Sequence, residues 1–175
     1  MNKYIHKTTL KNGTMVFVRF LKQSDKEYIE KGYKELSYKS QYFRFISPPR
    51  SLSDKYLKYL TDIDNKNHVA MIAFAIEKQS KHAIGVARYI RLIDNPGSAE
   101  YAITVTDSFQ NQGLGTILFN LLIEHAKRNN ISNLIGYILS ENYAMLKIVK
   151  HHNINIQREE SSLLRVDLPL KNDNI

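Results

Sequence analysis

The chain contains no cysteine and no tryptophan, and only four prolines among its 175 residues. Without cysteine there can be no disulfide, no thiolate metal site and no sulfur nucleophile. The absence also suits a reducing compartment, and a cytoplasmic location is the expectation. Long apolar runs are missing as well. The N-terminal MNKYIHKTTLKNG lacks the apolar core of a signal peptide, and no window approaches the roughly 18 apolar residues of a membrane span. No membrane partner is expected. Glycine is scarce, seven in all, yet Gly113 and Gly115 fall close together in SFQNQGLGTILFNLL, 108–122. A glycine costs about 0.5–1 kcal/mol relative to alanine inside a helix. Its placement where a helix is about to start points to something approaching the backbone.

What is present is a core-forming composition with a basic surplus: 43% hydrophobic residues and a net charge of +8. Such a charge favours an acidic partner, whether nucleic acid, an anionic surface or a phosphorylated small molecule. A solvated Lys-rich surface accounts for it equally well. No basic cluster is interleaved with aromatics, so nucleic acid is not an expected partner. The length suits one domain over 1–170, with KNDNI, 171–175, as a frayed tail.

Along the chain, Asn12-Gly13 suits a two-residue hairpin turn before the alternating Met15, Val16, Phe17 and Val18. SDKEYIEKGYKELS predicts a helix with Ser24 or Asp25 as N-cap, SPPR at 47–50 breaks the chain, and LSDKYLKYLTDI predicts a second helix. HVAMIAFAIE, AIGVARYIRLI and AEYAITV read as three successive strands, the first two antiparallel. Leu114, Ile117, Leu118, Leu121, Leu122 and Ala126 form one apolar helical face. NLIGYIL is a strand, ENYAMLKIVKHH a helix and SLLRVDLPL a final strand. The fold class is mixed α/β.

A strand, a glycine-bearing loop and a helix start make an anion site, because the first helical amides lack partners and the macrodipole adds about half a positive charge. Gly113 and Gly115 would let a phosphate approach without meeting a Cβ. Thr116-Ile117 does not supply the Lys-Ser/Thr of a Walker A loop, and Leu118 stands where a Rossmann fingerprint needs its third glycine. A loop whose glycines serve only tight packing remains the alternative on this spacing alone.

VTDSFQNQGLGT resembles the Q/R-x-x-G-x-G/A signature of the GCN5-related N-acetyltransferase (GNAT) superfamily, with Gln110, Gly113 and Gly115 in the specified places. ENYAML, LKNGTMVFVR, SYKSQYFRF, LSDKYLKYLTDID, HVAMIA and IGVARYIR are similar to the acetyltransferase domain of bacterial Pat-type protein-lysine acetyltransferases. The resemblance spans roughly residues 10–156. It implies a mostly antiparallel central sheet of six or seven strands flanked by about four helices. It also implies acetyl-CoA as co-substrate, with its pyrophosphate on the amides of Gln110, Asn111, Gln112, Gly113, Leu114, Gly115 and Thr116. The pantetheine arm would lie beside Thr104 and Val105, with the Val105 amide as oxyanion donor and Asn142 on the arm. Lys147 and Lys150 are candidates to reach the phosphates, simple surface charge being the alternative.

Acetyl transfer needs a neutral amine, and a lysine ammonium of pKa about 10.4 is almost wholly protonated at neutral pH. A general base is required. Glu100 shares a strand face with Ala102 and Thr104, and the resemblance assigns that position a base role. A strand carboxylate paired with Arg88 or Arg91 is the structural alternative. The family's Tyr general acid is missing, since Val149 stands in its place. YFRF, 42–45, either lines an acceptor pocket or packs in the core. His151 and His152 diverge on a helix and His125 lies on a helix edge, so no metal is expected. The resulting expectation is an acetyl-CoA-dependent N-acetyltransferase acting by direct transfer on a primary amine, foremost a protein lysine. A small amine such as a polyamine, or a noncatalytic acyl-CoA-binding module, are the alternatives.

Overall fold

The computed structural model describes residues 5–77 and 80–170. Its sheet has eight strands in the order β1-β2-β3-β4-β5-β6-β8-β7. They are β1 (His6–Thr9), β2 (Met15–Phe20), β3 (His68–Glu77), β4 (Ser80–Arg91), β5 (Ser98–Val105), β6 (Asn133–Leu139), β7 (Asn155–Arg158) and β8 (Leu163–Pro169). Five helices cover it: α1 (Lys26–Lys34), α2 (Tyr38–Phe45), α3 (Asp54–Thr61), α4 (Leu114–Arg128) and α5 (Tyr143–Val149). All neighbouring strands are antiparallel except β5 and β6, which flank α4 in a β-α-β unit. Among the described residues no helix is long and apolar enough to cross a membrane.

The alternation of side chains along a strand builds two cores, one on each face. On β3, Val69, Met71, Ala73 and Ala75 pack with Leu114, Leu118 and Leu122 of α4. Ala70, Ile72 and Phe74 face the other way, toward Ile29 of α1 and Leu57 and Leu60 of α3. A strand buried on both faces reads as a continuous apolar run, which is what VAMIAFA, 69–75, shows.

The fold exceeds the expected count by one helix and at least one strand. α2 begins at Ser37, whose side chain accepts the Ser40 amide at 3.2 Å; its aromatics carry no helical period, and none is fully buried. β7 is exposed throughout and held by pairing with β8. The hairpin joining β1 to β2 is also longer than a two-residue turn. It spans residues 10–14, with Gly13 at φ +86° and the Thr14 amide donating to Asn12 Oδ1 at 3.0 Å. At the start of α1, Asp25 holds the N-cap position without capping. Its carboxylate instead receives Arg19 Nη1 and Nη2 at 2.6 and 2.7 Å and the Lys22 amide at 2.8 Å. This buried, bidentate pair joins β2 to α1. The proposed tail, 171–175, lies outside the described residues.

Candidate active site

The site begins with a parting of strands. β5 pairs with β6 only at Ser98↔Asn133, Ala99↔Leu134 and Glu100↔Ile135, while β6 continues along β8 to Leu139. The next residue, Tyr101, sits with its ring against Gly136, where an added Cβ would collide with it. That ring also packs on Phe119 of α4 at 5.1 Å between centroids. Bulk at Tyr101 therefore stands where the ladder ends, and the free edge of β5 opens on a groove.

Successive backbone groups of a strand point to opposite edges. The Thr106 amide donates to Ile84 on the β4 side at 3.0 Å, so the amides of Ile103 and Val105 face the groove. The Val105 carbonyl is taken, accepting Gln110 Nε2 at 3.0 Å; the same Gln110 nitrogen donates to Ser40 Oγ at 3.1 Å. Gln110 thus pins the glycine loop to β5 and to α2. Asp107 strengthens that junction, accepting the Ser37 amide, Ser37 Oγ and Ser40 Oγ at 2.7–3.0 Å. Burial opposes the charge on Asp107, and these hydrogen bonds hold its carboxyl below the ordinary range.

The loop turns through two left-handed residues, Asn111 at φ +59° and Gly113 at φ +95°. The Gln110 amide is already engaged by Asp107 O at 3.3 Å, and the first helical bond of α4 is Ile117 N to Gly113 O at 3.1 Å. Between them, the amides of 111–116 donate to no group among the described residues. Unpaired donors at the positive end of a 15-residue helix suit a diphosphate. The two glycines serve different ends. A Cβ on Gly113 would meet nothing within 4 Å, so its requirement is the positive φ; a Cβ on Gly115 would lie 2.7 Å from Ile148 Cδ1 of α5. Gly115 thus also serves the packing of α4 against α5, beside its place on the groove wall.

The groove, of ≈ 460 Å³, is lined by Thr104, Val105, Gln110, Asn111, Gly113, Gly115, Thr116 and Asn142. Gln112 and Leu114 do not line it: Leu114 is fully buried in the core, and Gln112 Nε2 turns to Ser108 O at 3.0 Å. Only their amides are available. Asn142 caps α5 by accepting the Met145 amide at 3.2 Å, leaving its Nδ2 for the groove. Lys147 lines the groove and Lys150 does not. Arg44, part of the YFRF segment weighed as an acceptor-pocket wall, lines it; Lys11 and Lys39 do too, and sequence reasoning missed those two because they come from the first hairpin and α2, far away in the chain. The only local signal was Ser37 as a helix cap.

Glu100 stands apart from the groove walls. It is exposed on the face shared by Ala102 and Thr104, toward α1–α3. The pairing with Arg88 or Arg91 does not form: Arg91 donates to Pro96 O and Asn129 O, and Arg88 to Leu60 O and His68. Val149, in place of the family's tyrosine, is fully buried. The histidines behave differently from one another. His152 packs edge-on to Phe119 at 5.2 Å, while His151 lines the groove. His125, expected at a helix edge, is tucked between Phe20 and Tyr89, with Tyr89 Oη and Asn129 Nδ2 each 3.1 Å from Nδ1.

Residues 16–153 match the family described as an acetyltransferase (GNAT) domain. The chain belongs to the GNAT acetyltransferases. An acetyltransferase of Pseudomonas aeruginosa is 30% identical over 137 residues, covering 78% of this chain and 73% of that one. The acetyltransferase Pat of Mycolicibacterium smegmatis is 30% identical over 165 residues, 91% of this chain and 48% of its own length. This GNAT chain therefore spans about half of that relative. Among solved structures, the GNAT domain of S. lividans PAT superposes with a TM-score of 0.84 at 24% identity, covering 94% of this chain and 96% of that one. A putative acetyltransferase from Salmonella typhimurium, solved with acetyl-CoA, gives 0.70 at 17% identity, covering 89% and 94%. Both likenesses are of fold. Acetyl-CoA-dependent acyl transfer is the chemistry of a GNAT acetyltransferase, and the free edge of β5 and the unpaired loop amides fit that co-substrate.

Proposed function

We propose that this GNAT domain, residues 1–170, is a cytoplasmic N-acetyltransferase that moves acetyl from acetyl-CoA directly to a primary amine, foremost a lysine side chain of a protein. The observation that carries the reading is the row of unpaired amides at 111–116 beside the open edge of β5. In this reading those amides hold the pyrophosphate, the Ile103 and Val105 backbone receives the pantetheine arm, and Asn142 Nδ2 steadies it. Lys11, Lys39 and Lys147 add positive charge along the same groove.

The Val105 amide faces the acetyl carbonyl and stabilises the oxyanion that forms as the amine attacks. A C–N bond forms and the C–S bond breaks. Glu100 accepts the amine proton through water, since four strand rises of about 3.3 Å each separate it from Thr104. The thiolate takes its proton from solvent, because Val149 offers none. The resemblance of segments such as SYKSQYFRF and IGVARYIR to Pat-type protein-lysine acetyltransferases supports the protein-lysine acceptor by analogy.

Calorimetry with coenzyme A, followed by thiol release with acetyl-CoA, an amine panel and lysine peptides, tests the reading. Binding together with amine-dependent release is expected. No binding heat would overturn the groove assignment; binding without release to any amine would leave a noncatalytic acyl-CoA-binding module.

A further inference from the structure

On the α1–α3 side of the sheet lies a second cavity, of ≈ 70 Å³, whose walls include Tyr28, Tyr33, Phe45, Ala102 and two arginines, Arg44 and Arg88. At about 10–15 Å³ for each water-sized centre, it has room for roughly five, enough for a carboxylate on a short stem. Thr104 and Arg44 are walls of both this cavity and the co-substrate groove. The two spaces meet at the β5 residues where acetyl transfer is proposed.

The cavity's charge is uncompensated. Arg88 is only 5% exposed, and its Nη1 donates to Leu60 O and to His68 Nε2, each at 3.1 Å. Its Nε and Nη2 find no acceptor among the described residues. Arg44 stacks on Phe45, 4.8 Å from the ring centroid, and makes neither hydrogen bond nor ion pair there. Among the described residues no carboxylate lies within salt-bridge reach of either. Glu100, Tyr56 and Tyr59 act on Arg44 only from a distance. His68 stays neutral, its pKa pushed down to about 4 by burial and by Arg88. Burial and the neighbouring Arg44 likewise push Arg88 down to about 9. A buried guanidinium ordinarily has its donors met by an anion.

We infer that the acceptor amine of this enzyme is presented beside a carboxylate, which enters the cavity and is held by Arg88 and Arg44. The inference rests on the acetyl-transfer reading above and narrows its acceptor. The carboxylate can belong to a free amino acid or to an acidic side chain flanking a peptide lysine; both place an anion a few bonds from the amine. The two guanidinium groups on the cavity wall repel a polycation, so polyamines are poor acceptors.

The test compares matched acceptors. One arm sets leucine, methionine and lysine against their carboxamides. The other sets a lysine peptide with a neighbouring Glu against the same peptide with Gln. The readout is the kcat/KM ratio of acid to amide, in the native protein and in Arg44→Gln and Arg88→Gln. At least a tenfold preference for the acid is expected in one arm, which names the source, and loss of a charge-assisted partner should cut it about 10- to 100-fold. A variant that merely loosens the fold lowers both members of a pair and leaves the ratio alone. Ratios near one in both arms, or ratios that neither substitution moves, overturn the inference. Calorimetric titration of the N-acetylated acid and its carboxamide against the protein with coenzyme A needs no turnover. Absent transfer thus counts against the proposed function, whereas equal binding of acid and amide counts against the carboxylate site.

Discussion

Gly115→Ala separates packing from phosphate access at the loop. In the structure the new Cβ would sit 2.7 Å from Ile148 Cδ1, with Cγ1 next at 4.0 Å, so the collision is with a single methyl group. Overpacking of this kind costs about 1–3 kcal/mol. Replacing glycine in a helix by alanine returns about 0.5–1 kcal/mol, so a net loss of about 0–2.5 kcal/mol is expected by urea unfolding. Ile148→Val removes the offending methyl at a cost of about 0.5–1.5 kcal/mol. In that background the nearest contact becomes ordinary, and Gly115→Ala should turn neutral or stabilising. The double-mutant cycle then reports a coupling of about 1–3 kcal/mol. Gly113→Ala is the control: its Cβ meets nothing, and its cost of about 1–2 kcal/mol is left-handed strain, untouched by Ile148→Val. An equal penalty for Gly115→Ala in both backgrounds would refute the packing argument. A large loss of coenzyme A affinity by Gly115→Ala that Ile148→Val fails to restore would return Gly115 to a phosphate-access role.

Three further outcomes are expected. Glu100→Gln should lower kcat by about 10²- to 10⁴-fold while leaving the calorimetric affinity for coenzyme A unchanged; unaltered turnover would remove Glu100 as the base. Asp25→Asn should destabilise the fold by about 1–3 kcal/mol, because it removes the bidentate charge-assisted hydrogen bonds from the Arg19 guanidinium. Burial alone would raise the Asp25 pKa, but hydrogen bonds from Arg19 and the Lys22 amide hold it below the ordinary value. The pair's stabilisation is therefore present above the unfolded carboxyl's pKa and lost as pH falls through the folded one, and Asp25→Asn should flatten acid unfolding there. His68 has a folded pKa near 4 against 6.5 unfolded, so the unfolded state binds the extra proton between these values. Stability should fall as pH drops from 6.5 to 4, by at most about 1.4 kcal/mol per unit from this group and less with solvent screening. His68→Gln should lessen that slope in urea titrations; an unchanged slope would assign it to His125 and His152, whose pKa values burial also lowers.

Much of this protein was legible locally. The glycine loop and its helix and the three central strands follow from spacing, since short-range sterics and side-chain alternation act within a few residues. Gln110 could be located through the resemblance to the GNAT signature. Its work could not, because Ser40 lies seventy residues away and only the fold brings it to the Gln110 side chain. α2 escaped notice because its aromatics are half-buried on several sides and leave no clean period, and β7 because its stability comes from pairing with β8. The tight fit at Gly115 depended on Ile148, on a different helix. Arg44 and Arg88 are a similar case: sequence could offer Arg44 to an acidic acceptor and Arg88 to Glu100, and only the packing of α1, α2 and α3 over β4 and β5 sets both on one cavity, with no counter-charge among the described residues. Chain chemistry decided which groups could bind a phosphate and open a helix. Tertiary packing decided which donors were left unsatisfied, because a hydrogen bond or a charge is unpaired only with respect to everything folded around it.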